Sequence, residues 1–232
     1  MLLTYVAIPA ILMAIGSIIA WFKQPGPKLT SMVQHFAAGV VIAAVAVELV
    51  PKIIRHPNQL LVASGFAIGI AVMFLTDWAA DKMGERSASK SRLPLGMILA
   101  VAVDVFIDGL LIGVAFLASK QSGIIIAFAL TLEVFFLGIS TTASMSKAQV
   151  SKQLGIIIMI VIAALIPAGA LLGFSVASQL SNAMHMAILA FGTAALLYLV
   201  TEELLTEAHE VPETRMATLS FFIGFLIILL LP

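Results

Sequence analysis

Apolar residues along the chain fall in runs of about 20, separated by short polar gaps, and the runs are continuous, not alternating. A helix of that length rises ~30 Å, the thickness of bilayer hydrocarbon. Barrel strands would alternate lipid-facing with lumen-facing residues, and these do not. The pattern predicts eight spanning helices, at roughly 3–22, 31–51, 59–80, 94–118, 122–144, 154–176, 183–208 and 216–231. Residues 1–232 then form a single polytopic transmembrane domain, an all-α membrane protein. The longest polar gap, 81–94, reads DKMGERSASKSRLP and is expected to be a short cytoplasmic loop. The opening MLLTYVAIPA has neither a positive start nor a small-residue cleavage site, so it reads as the first span and not a signal peptide.

Composition agrees: the chain is 62% hydrophobic and only 10% charged. Twelve basic residues balance twelve acidic ones, which leaves neither a basic surface for nucleic acid nor an acidic tail. With no cysteine, disulfides, thiolate metal sites and cysteine nucleophiles are excluded. The basic residues are unevenly placed. Lys23, Lys28, Lys82, Arg86, Lys90, Arg92, Lys147, Lys152 and Arg215 follow spans 1, 3, 5 and 7, whereas Lys52, Arg55 and Lys120 follow spans 2, 4 and 6. The positive-inside rule puts the first set in the cytoplasm and both termini outside. Trp21 and Trp78 fall near the same cytoplasmic ends, where interfacial aromatics belong. A short internal repeat is also visible. Glu48-Leu-Val-Pro51, running on to Pro57, resembles Glu203-Leu-Leu-Thr206, running on to Pro212, and the two lie on spans of opposite direction, as an inverted repeat requires.

Asp104 and Asp108 straddle the middle of span 4, and Glu133 occupies the middle of span 5. Four residues turn a helix by about 400°, so the two aspartates sit about 40° apart on one face. An isolated carboxylate at mid-bilayer costs ~3 kcal/mol on insertion scales, and three at one depth repel each other. A bound divalent cation removes both penalties. The alternative is that the acids are protonated and hydrogen-bonded, holding the helices together. Ser140 and Ser144 continue the face of Glu133 toward the cytoplasm. Asp77 and Asp81 pair at i, i+4 near the end of span 3, and Glu203, Glu207 and Glu210 form a stripe at the end of span 7, beside Glu202 and His209. Together they predict a hydrophilic inner vestibule, although each alone is equally well a solvated cap. On the outer side, Glu48 is placed to form a mouth.

Two of the histidines have bland readings beside sharper ones. His185, between Met184 and Met186, suggests a soft-metal entry site, against a packing role. His35, beside Gln34, is an exit ligand or a satisfied core histidine, and His56 sits in an outer loop. Gly65/Gly69, Gly109/Gly113 and Gly169/Gly173 are small-residue faces for close helix packing, and Pro167 should kink span 6.

These residues resemble the ZIP (Zrt/Irt-like) metal transporters across the whole chain. Phe36-Ala-Ala-Gly39 through Glu48-Leu-Val-Pro51 resembles the family's span 2 ending in His-Leu-Leu-Pro. Asp104-Val-Phe-Ile-Asp108-Gly109 stands where the family has His-Asn-x-x-Glu-Gly. Leu132-Glu133-Val-Phe-Phe136-Leu-Gly138 is similar to His-Glu-x-Pro-x-x-Leu-Gly, and Leu197-Tyr198 through Glu207 resembles span 7. The resemblance implies a 3+2+3 bundle in which spans 1–3 and 6–8 are inverted repeats. It also implies a metal site of one or two ions between spans 4 and 5, and alternating access that carries Zn, Mn or Fe-class cations into the cytoplasm across the cell membrane. Carried over, Asp104 replaces the first motif histidine, Asp108 the motif glutamate, and Glu133 is the first acid of span 5. Val105, Leu132 and Phe136 depart from the pattern, and span 6 has no acid, so a single ion held by three carboxylates is what remains. Without imidazoles the site is all oxygen, which favours Mn²⁺, Mg²⁺ or Ca²⁺ and discriminates less sharply against Zn²⁺ or Fe²⁺. The ion is cargo and no resident cofactor is implied; the partners are the metal and the bilayer, and a homodimer is left open. Two further alternatives stay open: a transport-inactive homologue serving as sensor or scaffold, and a transporter of another cation. Neither His-Glu-x-x-His nor Gly-x-Gly-Asp occurs, which argues against an intramembrane protease.

Overall fold

The computed structural model describes residues 2–23, 25–87, 93–209, 211–212 and 214–231, without the side chains of 84–87. Lys90, Arg92, Glu210 and the side chain of Arg86 lie outside the described residues. Among those described there are helices and no strands: α1 Leu2–Phe22, α2 Pro27–Ile54, α3 Gln59–Ser87, α4 Leu95–Ala118, α5 Lys120–Lys147, α6 Lys152–Ala177, α7 Asn182–His209 and α8 Arg215–Leu229. The first seven are long and apolar enough to cross a membrane, and α8, at 15 residues, is shorter.

Local chemistry sets the boundaries. Ser119, Ser151, Ser181 and Thr214 each cap a helix, their hydroxyls accepting from the backbone N–H three residues on. Pro27 opens α2, where its missing N–H is not needed. Within α6, Pro167 cannot donate to the Ala163 carbonyl, and the helix is interrupted at Ala164. Helix α3 continues past 80 to Ser87, so Asp81 and Lys82 belong to the helix itself. Lys82 lies over the ring of the exposed Trp78, 4.5 Å from its centroid.

The most extensive helix pairings are α4 with α6, α1 with α5, α2 with α8 and α3 with α7. Exchanging helices 1–3 with 6–8 and 4 with 5 turns this set into itself, which is the inverted repeat. Helices α2 and α7 match most closely: Pro27 with Asn182, Val45 with Val200, Leu49 with Leu204 and Ile54 with His209, at one constant spacing. Both carry a π-helical segment, Val45–Leu49 and Val200–Leu204, with a glutamate at its fourth residue, Glu48 or Glu203.

Glycine makes the pairings close. A Cβ on Gly109 would lie 2.2 Å from the Ile166 carbonyl oxygen, and one on Gly169 would lie 2.3 Å from that of Phe106, so α4 and α6 touch backbone to backbone from both sides. Gly16 and Gly138 join α1 to α5 in the same reciprocal way, and Gly39 and Gly224 join α2 to α8. A methyl at Gly39 would sit 2.0 Å from the Phe221 carbonyl oxygen, and backbone cannot step aside. Gly39→Ala should therefore cost about 1–3 kcal/mol. Thermal unfolding in detergent checks this, with Gly26→Ala, where nothing lies within 4 Å, expected to be neutral.

Candidate metal centre

Helix α4 presents Asp104 and Asp108 one turn apart, and α5 places Glu133 opposite them. One oxygen from each lies within 4.8 Å of the other two. The three residues are 4%, 2% and 1% exposed. Asp104 Oδ2, Asp108 Oδ2 and both Glu133 oxygens are buried without a hydrogen-bond partner. Helix α4 contains no basic residue, and the two lysines of α5 stand at its ends. Unpaired buried carboxylates at this spacing are costly for the protein alone. A divalent cation would satisfy all three, because carboxylate oxygens are ordinary ligands for hard cations.

A cavity of about 370 Å³ opens at the Glu207 end of α7, lined in part by Gln34, Ser140, Ser144, Lys147 and Glu207. A narrow space of about 20 Å³ continues from it, bounded by Gln34, Ser140, Glu203 and Glu207, and reaches Glu133. Ser140, Ser144, Glu203 and Glu207 thus gather on one route to the carboxylates. Asp77, Asp81 and His209 do not line either space. Asp77 lies close enough to Asp104 and Glu203 to be felt electrostatically, and Asp81 is exposed farther along α3. His209 is exposed and meets His35 edge-on, with ring centroids 5.2 Å apart. His35 is buried, and its Nδ1 donates to the Ser31 carbonyl at 2.8 Å.

The opposite end has a larger cavity, about 670 Å³, lined in part by Glu48, Lys52, Arg55, His56, Asn182 and His185. Glu48 lines this cavity, where it is held by hydrogen bonds. Its Oε2 accepts from Lys52 Nζ at 2.9 Å and from Ser122 Oγ at 2.6 Å, and Ser119 and Ser122 hydroxyls lie 2.5 Å apart. Lys52 stands one turn after Glu48, a pairing that i, i+4 spacing could have revealed. Ser122→Ala should cost about 1.5–3 kcal/mol, the usual worth of a hydrogen bond to a charged group, read as a lower unfolding midpoint. The Met-His-Met reading does not hold as a convergent site. Met186 lines this cavity while Met184 lines a separate apolar one, and His185 Nε2 donates to the Ala177 carbonyl.

Fold and site together define a polytopic helical membrane protein with an acidic centre buried in its interior and a polar route leading to that centre. Residues 81–232, more than half of the chain, match the ZIP zinc transporter family, and the chain belongs to it. No curated protein matches the chain. Membership brings divalent metal transport in general, and the buried acidic cluster fits a metal site.

Proposed function

We propose that the chain imports divalent cations of the Mn/Fe/Zn class across the cell membrane, binding them at Asp104, Asp108 and Glu133. The observation that carries this reading is the convergence of three buried carboxylates, one oxygen from each within 4.8 Å of the others, each residue also having a buried oxygen without a hydrogen-bond partner. An all-oxygen donor set binds harder metals than a histidine-bearing one, so the preference lies toward Mn²⁺. The Lys/Arg distribution puts the Glu207 end in the cytoplasm and both termini outside. On that orientation the site communicates with the cytoplasm through the Glu133–Glu203 passage. Buried Leu111, Ile112 and Val114 lie on α4 between Asp108 and the outer cavity. Import then requires an opposite arrangement in which this apolar layer parts and the inner passage closes.

Uptake of Zn²⁺, Mn²⁺, Fe²⁺, Cd²⁺ and Mg²⁺ into proteoliposomes, with wild type and Asp108→Ala in parallel, tests the reading. Saturable flux that disappears in the variant is the expected result. Flux retained in Asp108→Ala at equal insertion would overturn the site. No flux of any metal from folded wild type would favour the transport-inactive homologue.

A further inference from the structure

Charge is sorted by end. The vestibule at one end of the bundle is lined by Glu207, but at the other end Glu48 is the only acid among the described residues, beside Lys52, Arg55 and Lys120. Glu48 is already matched: its Oε2 accepts from Lys52 Nζ at 2.9 Å and from Ser122 Oγ at 2.6 Å. Positive charge is therefore in surplus at this end, and Lys52 and Arg55 both line the cavity of about 670 Å³. A bare divalent cation entering here would be repelled. An anion would be drawn in.

The cavity holds unused donors. Arg55 is exposed, and its guanidinium forms no hydrogen bond or ion pair with any described residue. A guanidinium presents a rigid fork of N–H groups that matches a carboxylate with two parallel bonds. His56 Nδ1 accepts from the Asn58 N–H at 3.2 Å, so in the neutral ring the other nitrogen carries the proton. From α7, Asn182 brings a side-chain amide with no partner among the described residues, and it stands at the positive end of that helix. The volume falls within the ~300–1,000 Å³ usual for small-molecule sites. Donors contributed by both α2 and α7 suit an anion with more than one charged group. Carboxylate oxygens are also ligands for hard divalent cations, so an anion with several of them can carry the metal.

We propose that this cavity binds a small polycarboxylate anion of the chelating di- or tricarboxylate class through Arg55, Lys52 and Asn182, and that the metal reaches the protein as the complex of that anion. The delivery step rests on reading the chain as an importer; the anion site does not. Binding the anion cancels the surplus charge, and competition from Arg55 and Lys52 for its carboxylates loosens their hold on the metal.

The test of the site is calorimetric titration of citrate into the metal-free full chain in detergent at low salt. One citrate per chain is expected, bound more weakly as salt is raised. Arg55→Gln should weaken it about tenfold or more, the worth of hydrogen bonds to a charged group, and Arg55→Lys, which keeps the charge, should weaken it less. The Arg55 guanidinium holds no other residue, so these variants are expected to keep the wild-type unfolding midpoint. No citrate binding to wild type, equal binding by Arg55→Gln, or displacement of citrate by an equal concentration of phosphate or chloride would overturn the site. Delivery is tested by Mn²⁺ flux into proteoliposomes at one buffered free Mn²⁺ concentration, with and without citrate. Citrate should raise flux in wild type and not in Arg55→Gln. Flux indifferent to citrate would overturn delivery and leave the site. No flux under any condition would remove the import reading, whereas the titration would still decide the anion site.

Discussion

Asp108→Asn is expected to abolish metal flux and, at the same time, to make the metal-free protein harder to unfold. The two effects have one cause. Three carboxylates converge within 4.8 Å in a helix core that holds no cation of its own. At that distance a pair of like charges repels by about 3 kcal/mol for an effective dielectric constant of ~20. Asparagine keeps the volume and removes the charge. A gain of even 1 kcal/mol would raise the unfolding midpoint by about 2–4 °C in a chain of this size. The same change deletes an anionic ligand. Loss of an outer partner already weakens metal sites about 10–100-fold, so loss of a ligand should weaken binding by at least about a hundredfold. Thermal unfolding with and without Mn²⁺, beside flux, reads both. Wild type should be stabilised by the ion and the variant should not. A metal-free variant less stable than wild type would instead mean that the acids hold α4 and α5 together by hydrogen bonds, the competing account of the same residues.

Asp104→His is expected to turn the protein toward Zn²⁺. The aspartate stands where the family pattern has histidine, and it contributes one of the three converging oxygens. An imidazole nitrogen binds borderline-soft Zn²⁺ better than hard Mn²⁺, and the Irving–Williams order already favours Zn²⁺ over Mn²⁺ at mixed sites. The Zn²⁺-over-Mn²⁺ preference should rise by about tenfold, ~1.4 kcal/mol of differential binding. Inhibition of Mn²⁺ flux by added Zn²⁺ measures it directly. An unchanged inhibition profile in an active variant would take Asp104 out of the ligand set.

Much of the architecture was legible because a bilayer admits few solutions. Apolar runs of one length mark the helices, Pro167 marked the break in α6, and the glycine pairs of α3, α4 and α6 lie at real backbone contacts. Asp104, Asp108 and Glu133 stood out because ionisable residues at mid-membrane are expensive. What escaped depends on rotation and register. Hydropathy does not reveal a π-helical turn, so the way Glu203 is delivered toward Glu133 had no sequence signal beyond its repeat partner Glu48. Gln34 looked like a neighbour of His35 until the face of α2 turned toward α5 was known. Met184 and Met186 look like one motif in sequence, yet they line different cavities. The polar stretch after Ala80 read as loop, although Asp, Lys, Met, Glu and Arg are compatible with a helix that simply leaves the membrane.

The glycine contacts also fix where the molecule can bend. Where two helices meet through side chains, rotamers can change and one helix can slide past the other. Where backbone lies directly on backbone, as between α4 and α6, α1 and α5, or α2 and α8, there is no soft layer to deform. Each such pair behaves as a stiff strut. Helices α4 and α6 form one strut and carry Asp104 and Asp108, while the α1–α5 strut carries Glu133. A cation held by Asp104, Asp108 and Glu133 together would therefore span the joint between these two rods. Relative motion at that joint would pull its ligands apart, and the ion itself would act as the latch.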